Sequence, residues 1–133
     1  MICRFGKFTV EVDEIATKNW YANASMWDCD CGYCRNFLQL AQNDALPDPV
    51  MEALRKLKIP PEKATYVCDL YDHLYQFSYR VAGRILSGPG EPNESVVCGH
   101  EIYPYGAPDF PEPHFDLIFF EKLPWVIDEP YTG

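Results

Sequence analysis

Leu74-Tyr75-Gln76-Phe77-Ser78-Tyr79-Arg80-Val81-Ala82-Gly83-Arg84-Ile85-Leu86 is the stretch that decides the fold. On an extended chain Tyr75, Phe77, Tyr79 and Val81 fall on one side, and Gln76, Ser78 and Arg80 on the other. A period of two is the signature of a strand with one face on a core. Thr65 to Tyr71, just before it, is rich in strand formers, and Asp72-His73 between the two suits a tight turn. The two segments are expected to pair as an antiparallel hairpin, with Gly83 at a bulge or a close backbone approach.

Towards the C-terminus, Ser87 to Asn93 is a loop by composition, and Ser95 to Tyr103 is a further strand candidate. Pro104, Pro108, Pro111 and Pro113 then impose an irregular, extended path. His114 to Lys122 is a last strand, apolar on both faces near Leu117 to Phe120 and therefore expected in the centre of the sheet. Pro124-Trp125 and Pro130 suggest a tail laid over the body.

Towards the N-terminus, Lys7 to Asp13 alternates, with Phe8, Val10 and Val12 turned inward. Ile15 to Trp27 gives no clear period, and Asn19 and Asn23 read as turns. Within Asp28 to Ala45, Cys34, Phe37, Leu38 and Ala41 follow helical spacing behind Asp28 or Asp30 as cap. A second helix is expected to be capped by Asp48, to carry Pro49 at its first position and Val50, Leu54 and Leu57 on its apolar stripe, and to stop at Pro60-Pro61. The expectation is a single α+β domain over residues 1–133: an N-terminal strand, two helices, then a mainly antiparallel sheet of about four strands.

Hydrophobic residues make up 47% and aromatics 15%, which excludes a disordered chain. The 11 basic residues are outnumbered by 20 acidic ones, for a net charge of -9. Phosphate backbones and anionic lipid surfaces are held mainly by Lys and Arg, so neither nucleic acid nor membrane is an expected partner. A basic protein partner is electrostatically suited. Met1 to Lys7 has no apolar signal segment, and no apolar run nears the roughly 20 residues of a membrane span. A cytoplasmic protein is expected, whose six cysteines are thiols or metal ligands rather than structural disulfides.

The chemistry-bearing motif is Cys29-Asp30-Cys31-Gly32-Tyr33-Cys34. Side chains two apart on extended chain point the same way, and side chains three apart share a helix face. A switch from extended to helical near Cys31 therefore brings three sulfurs together. Thiolates favour zinc, which takes four tetrahedral ligands. The fourth has to come from elsewhere, with Cys98 and His100 as candidates and Cys68 and His73 as further ones. The leading expectation is a non-enzymatic protein with a zinc site built on Cys29, Cys31 and Cys34 and a protein-interaction role. Another possible reading is simple packing of three small apolar residues at a helix start.

Cys31-Gly32-Tyr33-Cys34 resembles the active-site dithiol of thioredoxin-like disulfide isomerases. The resemblance implies an alternative, a thiol-disulfide oxidoreductase with Cys31 as nucleophile and Cys34 as resolving thiol. Asp28 and Asp30 weigh against it, since negative neighbours disfavour a thiolate. The wider stretch Asp28-Cys29-Asp30-Cys31-Gly32-Tyr33-Cys34-Arg35-Asn36-Phe37 is similar to a D-C-x-C-x-x-C-x-N-F signature of small bacterial proteins of unassigned activity. It continues weakly into the proline-started helix and Leu123-Pro124-Trp125. That implies a bacterial cytoplasmic protein and carries over no catalytic residue.

Of the remaining candidates, His73, His100 and His114 are scattered and read as structural. Asp69 and Asp72 read as solvated hairpin charges. Tyr103, Tyr105, Phe110 and Trp125 sit among prolines, where they either pack the tail onto the sheet or form an interaction surface.

Overall fold

The computed structural model describes residues 1–89, 96–100 and 106–131. Among them are β1 (Ile2–Phe5), β2 (Phe8–Val12), α1 (Glu14–Ala22), α2 (Gly32–Gln42), α3 (Asp48–Leu57), a short 3-10 helix (Pro61–Lys63), β3 (Tyr66–Tyr71), β4 (Leu74–Ser87), β5 (Val96–Gly99) and β6 (His114–Lys122). The class is α+β, as expected, with an antiparallel sheet of six strands rather than about four. Tyr103, Pro104 and Tyr105, and Gly90 to Asn93 of the expected loop, lie outside the described residues.

The sheet order is β1-β2-β4-β6-β5, with β3 also on β4. The β3–β4 hairpin forms as read: Asp72 and His73 both take positive φ, of 47° and 65°, which a two-residue turn matched to strand twist requires. β6 lies between β4 and β5, buried on both faces from Phe115 to Phe119. The strand that local pattern missed is β1. It joins β2 through Gly6-Lys7, and its Cys3 and Phe5 are buried while Ile2 and Arg4 face out.

Among the described residues three α-helices form, not two. The undecided segment is α1: Asp13 caps it by accepting a hydrogen bond from Ala16 N–H at 3.0 Å, and Thr17 and Tyr21, one turn apart, face the protein. Asn19 is inside this helix, and Asn23 is its C-cap, not the start of a separate turn. The caps expected for the other two helices are corrected. Neither Asp28 nor Asp30 caps α2; Cys31 holds the N-cap position with no side-chain bond. Pro47 precedes α3, so Asp48 is already helical and serves the positive end of the dipole by charge alone.

β4 departs from the expected half-buried pattern. Ser78, Arg80 and Ala82 are buried along with Tyr75, Phe77, Tyr79 and Val81. The reason is its length. One edge of β4 pairs with β6; the other pairs with β3 up to Ser78 and with β2 from Gly83. On that second edge, between β3 and β2, residues 80–82 have backbone groups with no strand beside them among the described residues. Thr65 Oγ1 accepts from Arg80 N–H, the Tyr21 hydroxyl donates to Arg80 O, Thr17 Oγ1 accepts from Ala82 N–H, and Asp13 N–H donates to Ala82 O. Every one of these buried polar groups is thereby satisfied. The polar side chain Arg80 is tolerated because it meets the Asp116 carboxylate at 2.9 and 3.3 Å. On the opposite face the aromatic core packs α2 onto the sheet, with Phe37 and Phe77 rings 5.1 Å apart and Phe77 and Phe119 rings 5.5 Å apart.

Gly83 is the close approach that its sequence position suggested. Its φ is +139°, and a Cβ there would sit 1.9 Å from the carbonyl oxygen of Glu11. Gly83→Ala is expected to cost about 1–3 kcal/mol through backbone conformation alone, with the β2–β4 clash on top. A shift of the urea midpoint to lower concentration measures it, and an unchanged midpoint would refute the account. No helix among the described residues is long and apolar enough to cross a membrane.

Candidate metal centre

The chain leaves α1 at Ala22, runs through residues 24–30 without helix or strand and enters α2 at Gly32, with Cys31 extended at the N-cap. Trp27 anchors this crossing. Its backbone N–H donates to Glu62 O in the 3-10 helix at 3.0 Å, and its ring meets Tyr66 edge-on. Cys29 and Cys31 then lie on the extended arm, and Cys34 lies on the first turn of α2. The three Sγ atoms all come within 4.8 Å of one another, and Cys29 and Cys31 are 3.4 Å apart. Sulfurs 2.3 Å from a tetrahedral ion are roughly 3.8 Å from each other, so small side-chain rotations suffice to close the set on a metal.

Burial is graded across the three. Cys34 is buried, Cys29 is half-buried and Cys31 is exposed. Burial pushes the Cys34 thiol well above its ordinary range, and the hydrogen bond it donates to Cys29 adds to this. Trp27 Nε1–H, 3.2 Å from Cys34 Sγ, acts the other way by donating to it. The Cys29 thiol is held below its ordinary range, first by the hydrogen bond from Cys34 and then by the Cys31 backbone. A metal would complete this redistribution by taking all three as thiolates.

The ground under the cluster is fixed from the far end of the chain. Arg35 donates to both carboxylate oxygens of Glu129, at 2.7 and 2.6 Å, and also reaches the Asp30 carbonyl. Asn36, fully buried, donates to Pro124 O and accepts from Val126 N–H. Gly32 lets this terminal segment in: a Cβ there would be 2.6 Å from Glu129 Oε1. Trp125 and Tyr131 pack on Tyr33, and Tyr131 stacks on His73 with ring centres 3.9 Å apart. The tail is thus laid over the body as expected.

The other suggested ligands sit elsewhere. Neither Cys98 nor His100 joins the cluster. Cys98 is on β5, buried, with its thiol pushed up to about 12 by that burial. His100 is exposed just past the end of β5. Cys68 is on β3, where its thiol meets Asp69 O, and His73 is committed to the Tyr131 stack. His114 is held by Pro111 O and Glu112. Phe110 packs against Trp20 and Tyr21, so this aromatic serves packing.

Sequence reasoning missed Trp27, Arg35, Asn36 and Glu129 as supports of the site. Arg35 and Asn36 do fall inside the cysteine signature, and that was the available signal. Beside the cluster opens a cleft of about 610 Å³, walled by Trp20, Met26, Trp27, Asp28 and Pro108. No protein-family model, curated protein or solved structure matches this chain.

Proposed function

We propose that Cys29, Cys31 and Cys34 hold a zinc ion as a structural centre, and that the protein is a non-enzymatic, cytoplasmic interaction protein with a basic partner. The observation that carries this is the convergence of three sulfurs within 4.8 Å. Support comes from Trp27 Nε1–H on Cys34 Sγ, an outer bond of the kind that orients metal ligands. Thiolate donors select zinc over magnesium or calcium. The excess of acidic residues and the exposed Asp28 and Asp30 beside the site favour a positively charged partner. The similarity of the cysteine signature to small bacterial proteins agrees with a cytoplasmic setting. A dithiol oxidoreductase on Cys31 and Cys34 is less well served, because burial disfavours a Cys34 thiolate and, unlike at a metal centre, no cation among the described residues is there to offset it.

Untagged protein is expected to contain about one zinc per chain by elemental analysis, falling to none in Cys31→Ser. A chelator is expected to lower the melting temperature of the wild-type chain and to leave Cys31→Ser unmoved. Metal-free wild-type protein that instead cycles through a Cys31–Cys34 disulfide would replace the zinc assignment with the oxidoreductase one.

A further inference from the structure

Among the described residues, the three-cysteine centre is covered on the Cys34 side only. Trp27 and α2 cover Cys34, while Cys31 is exposed and Cys29 half-buried. Among the described residues no fourth His, Cys, Asp or Glu ligand joins the three sulfurs, so a zinc ion held by them would need a further donor at its fourth position. We propose that this position takes a neutral nitrogen donor, the imidazole of a histidine carried on a basic partner segment. This rests on the zinc assignment above.

Charge favours a neutral donor. One Zn²⁺ and three thiolates already sum to a net negative centre. An anionic fourth ligand adds a second negative charge next to Asp28 and Asp30, both exposed and both within two residues of a ligand cysteine. Arg35, the cation that bonds Asp30, is also engaged by Glu129. Imidazole adds no charge and is a good zinc ligand.

The surroundings suit a basic carrier. Asp28 precedes Cys29 and also lines the cleft, so a chain that delivers a histidine to the metal passes this carboxylate. Trp20 and Trp27 line the cleft, and their indole N–H groups are bonded to Pro108 O and Cys34 Sγ. Lys or Arg side chains on such faces gain cation–π attraction. Trp27 touches both features, so filling the cleft and completing the metal are coupled through one side chain.

Cobalt(II)-substituted full-length protein tests this, because thiolate-to-cobalt absorption counts sulfur ligands and the ligand-field bands report the fourth donor. The starting protein is expected to show the bands of a three-thiolate site. Imidazole is expected to shift the ligand-field bands saturably, at about a tenfold lower concentration than acetate, a ratio of about 1.4 kcal/mol. A peptide with one histidine between lysines is expected to act at a lower concentration than free imidazole, and its His-to-Ala version to leave the bands unmoved. Bands that ignore every addition, a preference for acetate or for 2-mercaptoethanol, or a spectrum altered by His100→Ala would each overturn the proposal while leaving the metal centre standing. Equal potency of peptide and free imidazole would overturn its partner half. Absence of thiolate-to-cobalt bands at the outset would overturn the metal assignment itself.

Discussion

Cys34→Ser is expected to empty the proposed zinc site, from about one ion per chain to none. Cys34 is the ligand that anchors the set: it is fixed on α2, buried, and bonded to Trp27, whereas Cys29 and Cys31 ride on the extended arm. A serine keeps an acceptor for the indole N–H but offers zinc a hydroxyl in place of a thiolate. With free zinc a hundredfold above its dissociation constant, losing the metal removes about 2.7 kcal/mol of stability, a fall of roughly 10 °C in the melting temperature of a chain this size. Cys98→Ser is the control. Cys98 and Cys34 are each 4% exposed, so both variants bury a hydroxyl to the same degree. Cys98→Ser is expected to lose stability while keeping its zinc. Equal metal content in the two variants would count against the centre.

Asp116→Ala is expected to be the most damaging single change in the sheet. The Arg80 and Asp116 side chains are 9% and 1% exposed, and the two groups meet at 2.9 Å across the β4–β6 ladder. Removing the carboxylate leaves the guanidinium buried among groups that do not balance its charge. Breaking a buried pair in this way costs about 3–5 kcal/mol, out of a total that for single domains is about 5–15 kcal/mol. The double variant Arg80→Met/Asp116→Leu is expected to recover most of that loss, because it removes both charges and keeps the volume. Urea unfolding of the single and double variants measures both. A single variant within 1 kcal/mol of wild type would mean that water reaches the pair.

Much of the fold was legible because the signals are local. The alternation of Tyr75, Phe77, Tyr79 and Val81, the Asp72-His73 turn, the apolar run of Leu117 to Phe120 and the stripe of Val50, Leu54 and Leu57 each lie within a few neighbouring residues. α1 was not legible in this way. Thr17 and Tyr21 are polar or amphipathic, and they face the protein to bond the β4 backbone, with the Tyr21 ring buried as well, so no purely apolar stripe marks the helix. β1 is four residues long, too short for alternation to stand out. The caps of α2 and α3 missed by one or a few residues because Asp30 is drawn to Arg35 and Pro47 fixes the entry to α3.

For the candidate site the division falls in the same place. By itself the sequence determined that three thiols share a six-residue stretch at the switch from extended chain to helix, and side-chain direction along such a stretch is enough to make them converge. Only the tertiary structure decided what surrounds them. Glu129 reaches Arg35 across 94 residues, and Pro124 and Val126 reach Asn36 across 88 and 90. Cys98, an equally good ligand by chemistry, is placed in the core by the pairing of β5 with β6. Strand order and the path of the tail are set by which surfaces bury best against each other, and no local period in the chain encodes that.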